Sequence, residues 1–330
     1  MDTLSALAIA ALASGCAQLL DIHDRSASAG GGGSGGSCAS LAATCGSAGS
    51  DDCCTSLLVP GGTFELGTDV ATDGMFPHTN VTTTIHDFRL DKYEVTVGRF
   101  RAFVASGAWS QAGAPSAGAG ANPSVSGSGW NSQWNQSLVV TLVDLDQALF
   151  GCGDATWSTF VAGEESRPIN CVSWYEAMAF CAWDGGFLPS EAEWNYAAAG
   201  GDQQRAYPFS SPAYSVTIDP TEASYNCMGD GMAACSFDDL LVVGSDPTGD
   251  GMWQHSDLAG NVGEWVLDFY ATPYPETSCD DCANLTDSGM RVTRGGGYTD
   301  AATVLRTGAR GMLAPDGRAR AVGVRCARAP

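Results

Sequence analysis

Thirteen cysteines dominate the side chains of this 330-residue sequence that could do chemistry. Thiolates can attack, exchange or hold a metal, and their spacing separates these uses. A zinc ribbon needs two C-x-x-C pairs. Here the only such spacing is Cys279-Asp280-Asp281-Cys282, which reads as a local loop disulfide. An iron centre built on clustered histidines is rejected as well, because His23, His78, His86 and His255 show no H-x-x-x-H spacing. His255 reads as an exposed side chain. Setting aside Cys16 leaves twelve cysteines, an even number that permits six disulfides and points to an oxidising compartment. Adjacent Cys53 and Cys54 each need a different partner. Between Ser26 and Ser37 the chain matches G-x-S-x-G and G-x-G-x-x-G, but inside a Gly/Ser run with no strand before and no helix after, so both matches are accidental.

Charge narrows the partners. The formal net charge is −22, and Lys92 is the single lysine. Such a surface repels phosphate backbones, which excludes nucleic acid, and it favours solubility and cation binding. At the start, an apolar run from Leu4 to Ala13 precedes Ser14-Gly15-Cys16. The run is too short to span a bilayer and fits a signal-peptide core, although no Lys or Arg precedes it. Its Ala-Ser-Gly-Cys ending resembles a lipobox, which makes Cys16 the lipidated residue. Ala17 after it favours an outer-membrane or cell-surface position, with the membrane engaged through the lipid alone. The alternative is an ordinary secretory signal and a periplasmic or secreted protein.

These groups have to be positioned by a domain. Residues 1–16 read as signal and lipobox, and 17–56 as a flexible Gly/Ser linker followed by a collar of Cys38, Cys45, Cys53 and Cys54. Residues 57–330 read as one domain, with no break in composition. Leu58 to Gly67 reads as strand, Pro-Gly turn, strand. A second alternating segment runs from His86 to Glu94. Thr96 then caps a short helix with Phe100, Phe103 and Val104 on one face. Residues 107–135 are an irregular surface excursion. Two S-x-x-E capping boxes follow, at Ser173–Glu176 and Ser190–Glu193. The first opens a helix with Trp174, Ala177, Met178 and Cys181 on a buried face, ended by Gly185-Gly186. The second opens a helix with Trp194, Ala197 and Ala198, ended by Gly200-Gly201. Short helices, many short strands and long loops make an α+β domain.

At these helices the chain closely resembles a known family. RPINCVSWYEAMAFCAWDGGFLPSEAEWNYAAAGG (167–201) is similar to the central signature of the formylglycine-generating enzymes, or sulfatase-modifying factors. VPGGTFELGT (59–68), FRLDKYEVTVGRFRAF (88–103), DLAGNVGEW (257–265), RVTRGGGY (291–298), LRTGAR (305–310) and GVRCAR (323–328) resemble the other family motifs in order. The fold so implied is loop-rich, α+β and C-type-lectin-like.

The resemblance implies an oxidase that converts a client sulfatase cysteine to formylglycine, using oxygen and copper(I) held by two cysteines. The first of these aligns near Asp300, and none occurs between Arg294 and Leu305. A carboxylate is a hard ligand, poorly matched to copper(I). Gly297 replaces the serine after Arg-Gly-Gly, and Gly263 replaces a tryptophan; both positions line the family's reactive pocket. Catalytic residues are therefore absent and copper is not expected. The resemblance also implies a disulfide between Cys181 and Cys326. Apart from the resemblance, Cys227–Cys235, Cys279–Cys282 and Cys152–Cys171 read as local pairs by their nearness in sequence, while the connectivity of Cys38, Cys45, Cys53, Cys54, Cys152 and Cys171 stays open. The resemblance further implies calcium at Asp257, Glu264 and the carbonyls of Gly260 and Val262, the alternative being a turn held by side-chain hydrogen bonds. A second calcium site would use Asn226 and the Cys227 carbonyl. The leading expectation is a non-catalytic module binding a protein, peptide or glycan. The alternatives are an oxidase with atypical ligands and a purely structural envelope lipoprotein.

Overall fold

The computed structural model describes residues 36–39, 41–275 and 278–330. The expected signal, the expected lipidation at Cys16 and the Gly/Ser run up to residue 35 lie outside the described residues. Along the chain come β1 (Ser56–Val59), β2 (Gly62–Glu65), β3 (Thr82–Ile85) and β4 (Phe88–Asp91). Helices α1 (Val97–Ser106), α2 (Leu142–Phe150), α3 (Trp174–Trp183) and α4 (Glu191–Ala199) follow. The C-terminal part holds β5 (Gly263–Phe269), β6 (Ser278–Asp280), β7 (Arg291–Arg294), β8 (Gly311–Leu313), β9 (Val322–Gly323) and β10 (Ala327–Arg328). The strands form three small sheets, ordered β1-β4-β10, β2-β3-β6 and β8-β7-β5-β9, so the class is α+β.

Local chemistry explains the element ends. Thr96 accepts the Arg99 N–H at the start of α1, and left-handed Gly107 closes it. Both expected capping boxes form reciprocally, Ser173 with Glu176 and Ser190 with Glu193. Each cap contributes about 1 kcal/mol. The strands on either side of Pro60-Gly61 form as expected but do not pair with each other. β1 joins β4 and β2 joins β3. A Cβ on Gly61 would lie 2.4 Å from the Ile85 carbonyl oxygen, so this glycine lets the chain turn a tight corner between two sheets.

Helix α3 is buried nearly all round. Trp174, Ala177, Met178 and Cys181 form the expected inner face, but Ala179 and Phe180 are buried too. The reason is that α3 sits between α1 and β5. Phe180 meets Phe100 and Phe103 of α1, and Trp174 donates its indole N–H to the Val266 carbonyl of β5 at 2.8 Å. The 107–135 segment is irregular, yet it is part of the core rather than a surface excursion. Trp130 is buried, and Asn122 donates to both oxygens of the α4 residue Glu193.

The twelve described cysteines form six disulfides: Cys38–Cys54, Cys45–Cys53, Cys152–Cys171, Cys181–Cys326, Cys227–Cys235 and Cys279–Cys282. Cys53 and Cys54 do take different partners. The collar packs on the body of the domain, with Asp51 accepting from Tyr93 and Lys92, and the Ser37 N–H donating to Asp184. Cys181–Cys326 ties α3 to the segment before β10 across 145 residues. In the chain-entropy treatment a closed loop of that size stabilises by about 5 kcal/mol. Replacing both cysteines by alanine should therefore lower the unfolding free energy in urea by several kcal/mol, whereas the same change at Cys279 and Cys282 should cost far less.

Candidate functional site

The segment from Asp257 to Glu264 is a knot of left-handed backbone. Asp257, Gly260 and Asn261 have φ of 58°, 85° and 56°. Asn261 holds it. Its amide nitrogen Nδ2 donates to Glu94 Oε2 at 2.7 Å, its Oδ1 accepts the Leu241 N–H at 3.0 Å, and its backbone N–H reaches the Ser224 carbonyl at 2.9 Å. Glu94 also accepts the Val262 N–H at 3.0 Å. Burial, with Asp257 and Glu264 nearby, raises the Glu94 pKa well above the usual carboxylate range.

Beneath the turn, Glu264 and Arg325 form a fully buried ion pair. Arg325 donates from Nε to Oε2 at 2.7 Å, and its Nη2 lies 2.7 Å from Oε1. Its other donors reach the carbonyls of Asp91, Lys92 and Ser256. Trp194 of α4 donates its indole N–H to Glu264 Oε2 at 2.7 Å. The two side chains together thus link β5, α4, the end of β4 and the C-terminal segment.

The calcium expectation divides on this geometry. Asp257 accepts the Gly244 N–H, and burial together with Asp246 and Asp250 pushes its pKa up to about 7. A divalent cation would return that carboxylate to its charged form. Among the described residues the Gly260 and Val262 carbonyls accept no loop or turn hydrogen bond. These three are oxygen donors of the kind calcium, a hard cation, takes. Glu264 fits less well, since Arg325 and Trp194 already use three of its roughly four lone-pair sites. Asn226 is exposed, Cys227 is in a disulfide, and their N–H groups bond the Asp300 and Tyr298 carbonyls, which ties this segment to the 298–300 loop.

His255 is a correction. It is fully buried rather than exposed, neither ring nitrogen has a hydrogen-bond partner, and burial lowers its pKa to about 3. No sequence spacing signalled this. A separate group, His86 with Asp280 and Asp281, brings possible ligand atoms within 4.8 Å, but an ion pair from His86 Nδ1 to Asp281 Oδ2 at 2.6 Å already accounts for it.

Above the turn, between β5, β7, β8 and β9, lies a cavity of about 170 Å³. Gly263, Gly296, Val304, Met312, Val322 and Asp300 are among its lining residues. A Cβ on Gly263 would sit in ordinary van der Waals contact, 3.5 Å from the Ala321 carbonyl oxygen, so a small side chain fits there without a clash. Gly297 differs from expectation. A Cβ on it would lie 2.6 Å from the Ala321 carbonyl oxygen, so it packs against that segment instead of facing open space. Asp300 Oδ2 accepts the Gly297 N–H at 2.9 Å, which closes the loop after β7.

Comparison with known proteins places this geometry. Residues 42–330 match the family model of the sulfatase-modifying factor enzyme 1-like domain. A formylglycine-generating enzyme of Streptomyces coelicolor is 30% identical over 298 residues, covering 82% of this chain and 87% of that protein. A Bos taurus protein described as inactive C-alpha-formylglycine-generating enzyme 2 is 28% identical over 291 residues, covering 82% of this chain and 86% of that one. The solved structure of PvdO from Pseudomonas aeruginosa superposes with a TM-score of 0.57 at 22% identity, covering 83% of this chain and 94% of that chain. The fold implied by the sequence motifs is the fold observed.

Replacing Glu264 by Gln removes the carboxylate that balances buried Arg325, and such losses cost about 3–5 kcal/mol. In a double-mutant cycle by urea denaturation, adding Arg325→Met should recover part of that cost, with a coupling of about 2–3 kcal/mol. Strict additivity would remove Arg325–Glu264 as the organising pair.

Proposed function

Because the chain belongs to the sulfatase-modifying factor family, we propose that it is a non-catalytic member, a module that binds a protein, peptide or glycan through the cavity at Gly263 and Asp300. The observation that carries this reading is the cysteine pairing. All twelve described cysteines are in disulfides, and the position nearest the first copper cysteine holds Asp300. Copper(I) chemistry needs soft thiolates, and a carboxylate does not substitute for them. Gly263 supports the same reading, since the cavity gains room where an oxidase of this kind would hold a tryptophan. The inactive relative described above is a precedent for loss of activity on this scaffold.

The reading includes export and a lipid anchor at Cys16. Six disulfides suit an oxidising compartment, and the lipobox-like sequence supplies the attachment point. It also includes calcium on Asp257 and the Gly260 and Val262 carbonyls, with Glu264 contributing its remaining lone pair. The ion would supply positive charge to the crowded carboxylates and stiffen the turn below the cavity.

Two measurements test the reading. The purified protein, incubated with copper(I), oxygen and a Cys-x-Pro-x-Arg peptide, should leave the cysteine unchanged by mass spectrometry. Aldehyde at that cysteine would establish the oxidase reading instead. Calcium should raise the melting temperature relative to chelator-treated protein, and Asp257→Asn should abolish most of that rise; an equal rise in the variant would remove Asp257 from the site.

A further inference from the structure

We infer that the cavity beside Asp300 takes a lysine side chain of a partner polypeptide. The inference rests on the binding-module reading and specifies its ligand.

The cavity walls are mostly backbone and aliphatic side chain, with glycines at 263 and 296 and Val304, Met312 and Val322 around them. Two ionisable side chains belong to the lining, Arg294 and Asp300. Arg294 is already committed. Its guanidinium donates to the Thr307 and Ala309 carbonyls at 2.8 and 2.6 Å and lies 2.9 Å from Glu191. Asp300 is the opposite case. Its Oδ2 takes one N–H from Gly297, and among the described residues it forms no ion pair. The cavity wall therefore holds one half-buried carboxylate without an ion-pair partner, in a narrow recess lined by backbone and aliphatic side chains, on a molecule whose net charge is −22. A field of that sign concentrates cations at such a recess.

The shape of the charge selects among cations. A guanidinium prefers two carboxylate oxygens for its planar fork. Here one oxygen is partly used by Gly297, which leaves a site suited to a compact ammonium donor. A lysine joins that head to an aliphatic stem, and the stem matches the aliphatic walls. The chain cannot fill the site from a second copy of itself in the same way. Its single lysine, Lys92, is bound to Asp51 at 3.1 Å. The occupant is then a lysine on a different polypeptide.

The test is calorimetric titration of the full protein with a capped pentapeptide carrying a central lysine. Matched peptides carry acetyl-lysine, norleucine or arginine, and n-butylammonium is titrated alone. Lysine should bind at least about tenfold tighter than acetyl-lysine or norleucine and tighter than arginine, and its affinity should weaken with added salt. Asp300→Asn, which still accepts the Gly297 N–H, should abolish the lysine preference. Gly263→Trp should block binding by projecting a large ring from the cavity wall. Equal binding of norleucine, or an unchanged preference in Asp300→Asn, overturns the inference while leaving a binding module in place. Failure of the lysine peptide at millimolar concentration also overturns it. Butylammonium binding as tightly as the peptide would assign the site to a free amine and overturn the polypeptide ligand. Formation of aldehyde on a cysteine peptide is a separate result and removes the underlying reading.

Discussion

A charge that cannot be left alone in the core organises this protein. Arg325 is wholly buried, and removing it from water is costly unless each N–H finds an acceptor. Glu264 provides the countercharge, and three backbone carbonyls take the remaining donors. Meeting that demand brings together the end of β4, the start of β5, the segment around Ser256 and the C-terminal stretch. Trp194 adds α4 to the same carboxylate. The Asp257–Val262 turn is laid over this pair, and the cavity lies over the turn. The position of the cavity thus follows from the salt bridge beneath the turn.

The contacts that organise the family fold are thus separate from the side chains at positions 263 and 300. Glu264, Asn261, Glu94 and Arg325 act on one another, and none needs a thiolate or a particular side chain at 263 or 300. Gly263 and Asp300 sit on the far side of the turn, where a change alters what the cavity can hold. The disulfide from Cys181 to Cys326 reinforces the division, fixing α3 to the strand segment that carries Arg325. Every cysteine that the structure describes is paired in a disulfide.

Much of this was readable from local pattern. The capping boxes at Ser173 and Ser190 combine side-chain chemistry with spacing inside four residues, so they predict their helices directly. Helix α2 carries a related signal, Thr141 with Asp144, which the acceptance of Asp in place of Glu would have revealed. The corner at Gly61 was not readable, because turning between two sheets depends on Ile85, a partner distant in sequence. The same holds for His255, whose burial is set by elements packed over it, and for Gly297, whose missing side chain is explained by Ala321. Of the candidate site, the motif residues were visible and their division of labour was not. Nothing local says that Glu264 faces an arginine sixty-one positions later.

The central claim is that the turn is held by the buried network as firmly as the core itself. Amide hydrogen exchange of Val262 and Gly263 tests it most directly, because these N–H groups donate to Glu94 and to the Ala321 carbonyl. In calcium-free buffer both should exchange only through global unfolding, with an opening free energy equal to that from denaturant titration. Exchange at the rate of an exposed loop, under conditions where the core helices remain protected, would contradict the account.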